Sequence, residues 1–386
     1  MPESLSSQTK IVMTPKERMV AAYRGDHVDT VPVAPEFWCY YPAKLLGLDM
    51  VTFQREVPHW EALQKTFRNY GTDGWSITGP HIPSPDARAA EEWVDLGDGR
   101  YESRIHTRTP FGDLTTRIQY DRAEPSWLVE RPIKDFHRDW PAYRALTMGS
   151  IDDADWKPVR DALNAVGDDF LLEVGVGLPF FDYIAWNREG GLEQSIFDLI
   201  EHEDFFEELH EVYIDYVRRL TRATFENTEA EAVFIGCAWS CISLISPAMW
   251  RRWDKPVIRA VADEAHAAGK LLHVHLHGKC RDILTDLSDC GADCICPFER
   301  SPGGDITDLT EVRHLLADKV TMNGNIHTVD TLIRGNADDV RREVEEIFRQ
   351  WGSDKRRLIL GTGDQVGAET PEENIIAMVE VGRRLG

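Results

Sequence analysis

Basic residues are scarce in this chain. Its 386 residues carry 43 Lys and Arg against 66 Asp and Glu, a formal net charge of −23. Counterion release from a nucleic acid or an anionic membrane needs an excess of cations, so both partners are excluded. Long apolar runs are missing too: nowhere do about 18 apolar residues follow one another, and no membrane span is expected. The opening MPESLSSQTK has no apolar core of the kind a secretory leader needs, and a cytoplasmic location is expected. The seven cysteines are an odd number without a paired CxxC, which points to reduced thiols. Cys280, Cys290, Cys294 and Cys296 lie close enough to suggest a metal knuckle, but buried, unligated thiols are the better expectation. Internal repeats, low-complexity tracts and flexible linkers are also lacking, and 1–386 reads as a single domain.

What the chain does have is rhythm. Eight short apolar runs, at 31–36, 74–79, 170–177, 231–238, 270–277, 294–299, 320–326 and 358–363, are each followed by a Gly/Pro/Asn break and then an amphipathic stretch. Strands buried on both faces and alternating with helices predict a parallel sheet, and eight such units predict a closed (β/α)8 barrel; a doubly wound open sheet is the competitor. Helices are expected over 198–227, 247–269 and 329–352. The last helix is expected to start with Thr370 as N-cap and Pro371 at N1, and TPKERMVAAYRG (14–25) starts in the same way. Residues 80–135 break the rhythm, because EEWVDLGDGRYESRIHTRTPFGDLTTRIQY alternates like hairpins turning at GDG and FGD. A hairpin insertion between the second and third barrel strands is therefore predicted, overhanging one mouth.

Barrel chemistry sits at the carboxyl ends of the strands. That rule selects Glu36, Glu173, Cys237, His275, His277, Glu299, Asn323, Asn325 and Asp364. In KLLHVHLHGKC (270–280), His273, His275 and His277 occupy alternate positions of a strand and so share one face. His273, deepest in the strand, reads as a hydrogen-bonded core residue. The pair His275 and His277, ahead of Gly278, reads as a polar site, and with a carboxylate from another strand it can offer Zn²⁺ three ligands and leave a fourth position open. Glu299 ends an apolar run and must be functional or paired with an arginine. Asp364 is either a site acid or a turn cap, Glu173 either a site acid or paired barrel packing, and Asn325 reads as a loop-backbone partner. Trp38 and Tyr40 in FWCYY (37–41), together with Trp75, could wall a flat ligand.

Several segments also carry a resemblance. TPKERMVAAYRGDHVDTVPVAPE (14–36), YGTDGW (70–75), ISPAMWRRWDKP (245–256), HLHGKCRDIL (275–284), PFERSPGGDITDL (297–309), MNGNIHTVDTLIRG (322–335) and LGTGDQVGAETPEENIIAMV (360–379) resemble the uroporphyrinogen decarboxylase superfamily, and more particularly its corrinoid-dependent methyltransferase branch. The resemblance implies a barrel with its site at the carboxyl mouth. The decarboxylases of that superfamily place arginines after the first strand to hold substrate carboxylates, whereas EFWCYYPAKLLGLD (36–49) has none. The zinc methyltransferases carry His-x-Cys near the end of the fifth strand and a further Cys after the eighth. Here His275 matches the histidine, with His277 and Asp364 at the two cysteine positions. A harder donor set suits a Lewis acid acting on an ether or alcohol oxygen better than one activating a thiol.

The resemblance therefore implies methyl transfer from a small methoxylated donor to the cobalt of a separate corrinoid protein. His275, His277 and Asp364 would be ligands to zinc, with Glu299 as an alternative third ligand. Asn323 and Glu173 would orient a substrate contacted by Glu36, Trp38, Tyr40, Trp75 and Cys237. No DxHxxG corrinoid-binding stretch occurs, so the methylcobalamin or related corrinoid must arrive on the partner; a homodimer is a further expectation. Two other readings stay open: a carboxy-lyase of the decarboxylase type, and a barrel that binds a tetrapyrrole or small ligand without turning it over.

Overall fold

A computed structural model of the chain describes residues 12–386, so the leader reading of the first ten residues lies outside the described residues. The strands are β1 (Val33–Ala34), β2 (Trp75–Thr78), β3 (Arg88–Gly97), β4 (Arg100–Thr109), β5 (Gly112–Asp121), β6 (Trp127–Glu130), β7 (Leu171–Gly175), β8 (Ala232–Cys237), β9 (Leu271–Leu276), β10 (Cys294–Pro297), β11 (Thr321–Ile326) and β12 (Leu358–Thr362). Eight of them form one curled parallel sheet in the order β1-β12-β11-β10-β9-β8-β7-β2, a TIM-like arrangement. Each of the eight apolar runs contains one of these strands. Residues 88–130, between β2 and β7, form a separate four-stranded antiparallel sheet, β3-β4-β5-β6. It packs on the helices Met50–Glu56 and Phe136–Thr147.

Alternation sorts the barrel side chains into two layers. Val233, Ile235, Leu272, Val274, Leu276 and Ile295 belong to the large core shared with the surrounding helices. Leu171, Ala232, Phe234, Leu271, Cys294 and Cys296 point the other way, into an interior cluster. The helix Pro15–Arg24 adds Met19, Ala22 and Tyr23 to that cluster and so plugs one end of the barrel. Thr14 and Glu17 form the capping box that starts this helix, and Gly25, at φ 74°, ends it.

The edges of the sheet meet at Asp73. Its N–H donates to the Val33 carbonyl at 2.9 Å, and its carboxylate accepts the Val33 N–H at 2.8 Å. The same fully buried carboxylate pairs with Arg18 at 2.5 Å and with Arg383 at 2.6 Å. One side chain thus joins β1, the entry to β2, the plugging helix and the C-terminal helix Glu372–Leu385.

Helix boundaries depart from the sequence periodicity in three places. The stretch 198–227 is shared by Gly191–Glu201 and Glu203–Asn227, broken at His202, where Glu203 and Asp204 open a new helix N-terminus. Residues 247–269 split at Asp254, since Pro256 cannot continue the hydrogen bonding of the helix Pro247–Trp253. After an irregular turn at Thr328–Ile333, the helix Ala337–Trp351 begins afresh on an Asn336 capping box. The last helix starts at Glu372 with Pro371 as its cap residue, and the Thr370 hydroxyl makes no capping bond. All seven cysteines are buried and unpaired. No helix among the described residues is long and apolar enough to cross a membrane.

Removing the Asp73 carboxylate takes one of two carboxylate partners from the buried Arg18 and cuts the seam. We expect Asp73→Ala to cost about 3–5 kcal/mol, the usual penalty for breaking a buried ion pair, and Asp73→Asn to cost less. Urea unfolding monitored by tryptophan fluorescence measures both.

Candidate functional site

His273, His275 and His277 all turn inward, because Leu272, Val274 and Leu276 are committed to the outer layer. Each imidazole meets a different set of partners. His273, with no exposed surface, has Nδ1 at 2.9 Å from Glu173 Oε2 and 3.2 Å from the Tyr23 hydroxyl, and Nε2 at 3.0 Å from Cys296 Sγ. It is the hydrogen-bonded core histidine expected. His275 lies one layer up, with Nδ1 at 3.0 Å from the same sulfur and Nε2 only 2.7 Å from His277 Nε2. At the mouth, His277 Nδ1 is 2.7 Å from Glu299 Oε1, which also accepts the Gly278 N–H at 3.0 Å. Gly278 turns the chain at φ 74°, and a Cβ there would fall 2.8 Å from Ser243 Oγ. Glu299 therefore pairs with His277, not with an arginine.

Burial, with the neighbouring His277 and His273 adding to it, pushes His275 well below the ordinary histidine range. Burial also opposes charge on His277. There the Glu299 hydrogen bond and the nearby Glu36 and Asp364 outweigh it and raise the group to about 9. Glu36 is lifted to about 8, chiefly by burial. The proton between the two imidazoles thus belongs to His277, which donates from Nε2 to His275 and from Nδ1 to Glu299.

Two groups of donor atoms converge here, each with its atoms within 4.8 Å of one another: Glu36 with His275 and His277, and His277 with Glu299 and Asp364. The expected trio His275, His277 and Asp364 is not gathered as such. Asp364 lies 4.0 Å from His277 Nδ1, the nitrogen turned away from His275, whereas Glu36 Oε1 is 3.9 Å from His275 Nε2. Glu36 is held in place by its own backbone, whose N–H donates to Thr362 Oγ1 and whose carbonyl accepts from Val366. Two facing nitrogens and a carboxylate suit zinc, and the close approach of two nitrogen lone pairs is relieved by either a proton or a cation.

The donors open onto a cavity of about 450 Å³ walled by Trp38, Leu178, Trp186, Phe234 and Cys237, with Asp182 and Gln365 among its polar groups. Trp38 stacks with its ring 9° from parallel to His275 at 6.5 Å. Five expected site residues do not line the cavity. Glu299 stands behind His277, lining a neighbouring pocket with Arg300 and Asp364. Glu173 is the buried partner of His273; Asn323 is 2 % exposed within β11; Tyr40 turns outward to bond Glu124; and Trp75 packs beneath the imidazoles, 4.8 Å from the His273 ring. Asn325 holds Arg300 and the Phe298 carbonyl, as a loop partner should. No residue of 80–135 lines the cavity.

Sequence reasoning missed Asp182, Trp186 and Phe234. Phe234 was open to discovery, since alternation from Ala232 puts it inward. Asp182 lies seven residues past the end of β7, beyond the strand-end rule; it accepts the Trp239 and Ser240 N–H groups at 2.7 and 2.9 Å, and burial raises it to about 6.

Comparison with known proteins bears on this site. Over 180 residues, 47% of the chain, it is 26% identical to the methylcobamide:CoM methyltransferase MtaA of Methanosarcina barkeri. Over 154 residues, 39% of the chain, it is 26% identical to a uroporphyrinogen decarboxylase of Chlorobaculum tepidum. The matched stretches cover 49% and 41% of those proteins, so the chain spans about half the length of the curated relatives it matches, or less. A solved structure of a methyltransferase from Methanosarcina mazei shares the fold at a TM-score of 0.63, with 18% identity, covering 96% of this chain and 99% of that one. Residues 165–385, more than half of the chain, match the family model described as uroporphyrinogen decarboxylase (URO-D). The chain belongs to the uroporphyrinogen decarboxylase family.

Proposed function

We propose that the protein transfers a methyl group from a small methoxylated substrate to the cobalt of a separate corrinoid protein. The observation that carries this reading is the pair of imidazole nitrogens 2.7 Å apart, with Glu36 beside them, facing a largely apolar cavity. His275, His277 and Glu36 would hold zinc; Asp364 and Glu299, grouped around the other nitrogen of His277, are the alternative carboxylates. Bound there, zinc supplies Lewis acidity toward the oxygen that leaves the methyl carbon.

The remaining work falls to the chain. Glu299, anchored by the Gly278 N–H, fixes the plane of His277. Trp38 and Phe234 form the flat walls that hold an organic group against the donors and keep bulk water from the reacting oxygen. Asp364, raised by burial, remains on the cavity wall as an acid for the oxygen once its methyl group has gone, while Asp182, whose oxygens accept the Trp239 and Ser240 N–H groups, braces that wall.

A carboxy-lyase acting on a porphyrinogen is disfavoured by the same wall. Glu36, Asp182 and Asp364 line the cavity, and no Lys or Arg does so among the described residues. A substrate bearing many carboxylates would be desolvated there with no cation to pair with. The methyltransferase relatives and the match of their fold favour methyl transfer, while the donor set of this chain, nitrogen and oxygen without thiolate, favours an oxygen-linked methyl group.

Purified protein should carry about one zinc per chain, lost in His275→Ala, and should methylate cob(I)alamin from a methoxyarene in a reaction followed by absorbance. Metal-free protein without methyl transfer, or rapid CO₂ release from uroporphyrinogen, would sink the proposal. A pH dependence should accompany metal binding. His277 binds a proton up to about pH 9 in the metal-free site and Glu36 up to about pH 8, and ligand atoms must be bare, so zinc affinity should climb with pH toward those values and each ion should displace a proton from His277 and, below about pH 8, one from Glu36 as well. Calorimetric titration in buffers of different ionisation enthalpy reads the proton directly; an affinity independent of pH would show that His277 is not a ligand.

A further inference from the structure

Beneath the cavity the buried polar groups form one continuous chain. In the parallel ladder Cys296 lies opposite His275, and Cys294 opposite His273, so the side chains of β9 and β10 stand next to each other on the inner face. Cys296 Sγ is 3.0 Å from His273 Nε2 and 3.0 Å from His275 Nδ1, so a single sulfur bridges two imidazoles. Glu173 closes the chain below, 2.9 Å from His273 Nδ1, with the Tyr23 hydroxyl 3.2 Å from the same nitrogen. His273 and Glu173 have no exposed surface and Cys296 has 2 %.

The direction of this chain is set from the bottom. The Glu173 carboxylate accepts, so His273 carries its proton on Nδ1 and presents a lone pair at Nε2. The thiol has one proton to give, and that lone pair takes it. The sulfur is then left to accept from Nδ1–H of His275.

We infer that Cys296 is a positioning residue: together with His273 and Glu173 it locks His275 in the Nδ1–H tautomer, so that the Nε2 lone pair always faces the cavity. An unsupported neutral imidazole divides its proton between the two nitrogens, and the Nε2–H form cannot ligate from the side that faces the site. The inference uses the proposed function only for what that lone pair binds; the tautomer stands on hydrogen bonding alone.

Long-range ¹H–¹⁵N spectra of full-length, metal-free protein labelled with ¹⁵N-histidine report the tautomer of His275 without any activity assay. In the wild type we expect a protonated Nδ1 and a bare Nε2. Because the His277 Nε2–H also points at His275 Nε2, the tautomer is compared in a His277→Ala background, where Cys296→Ala should move His275 toward a mixed population; in the otherwise wild-type chain Cys296→Ala should lower zinc affinity by about 10–100-fold, the usual effect of losing an outer-shell partner. Cys296→Ser keeps a donor and an acceptor and should restore most of both. A wild-type His275 protonated on Nε2 overturns the inference, as does a folded Cys296→Ala protein with tautomer and zinc affinity unchanged. If Cys296→Ala fails to fold, the serine variant decides, since a folded Cys296→Ser protein with a flipped tautomer is equally fatal. Correct tautomers with no methyl transfer would sink the functional proposal and leave this one standing.

Discussion

The period of a β-strand leaves no choice about where alternate side chains go. Once Leu272, Val274 and Leu276 pack against the helices, three imidazoles are committed to the inside of a barrel, where water is scarce and an unpaired polar group is costly. Each must find a partner at its own level. The lowest finds a carboxylate and a phenol, the middle one a thiol and the imidazole above it, and the highest a carboxylate at the mouth. The sequence of partners runs from structural to chemical along one strand, because solvent access grows in that direction while the backbone geometry stays the same. The site is the place where the series runs out of buried partners and opens onto a cavity.

That series can open at one end only. The helix Pro15–Arg24 inserts Met19, Ala22 and Tyr23 below His273 and closes the other. Its position depends on Arg18, whose guanidinium is divided between Asp29 and Asp73, and Asp73 also bridges the edges of the curled sheet. Seam, plug and the floor of the site are therefore mechanically one unit, although the ion pairs lie on different elements from the histidines. The four-stranded sheet at 88–130 stands outside this unit: it packs on helices, its Trp93 lies under the Arg55 guanidinium at 4.3 Å, and it contributes nothing to the cavity wall.

The rhythm of the chain made the eight barrel strands legible, because a strand buried on both faces must be apolar throughout, and that is a local property of the sequence. The histidine face was legible for the same reason. The helix break at His202 was not, since the apolar spacing continues across it, whereas the break at Asp254 carried a local signal in Pro256 that the spacing overrode. Lateral relations were the least accessible. That Cys296 faces His275 follows from the register of β10 against β9, and that Glu36 rather than Asp364 stands with both imidazoles follows from where two loops set their carboxylates. Neither offset is written in either segment alone. Position along the chain picks out Glu36, His275 and His277, which line the cavity, and Glu299, which bonds His277; it also selected Glu173 and Asn323, which lie inside β7 and β11, one layer too deep. Spacing tells which face a side chain occupies, while its depth depends on how the neighbouring strands are staggered.

The charge of the site links these threads. Glu299 and Asp364 flank the one imidazole that is raised to about 9, with Glu36, itself lifted to about 8, beside it, and in the metal-free protein the proton on His277 is the cation that faces these carboxyl groups. Both of its ring nitrogens donate, one to Glu299 and one to His275, so that proton satisfies in a single group the needs of a carboxylate and of a neutral imidazole. A divalent ion placed between the same nitrogens would answer the same electrostatic demand with more charge and would free His277 to keep only the Glu299 contact. Proton and the proposed metal would thus be alternative occupants of one position. A cavity with acidic walls and no lysine or arginine lining among the described residues can tolerate the exchange, because the carboxylates remain paired in either state.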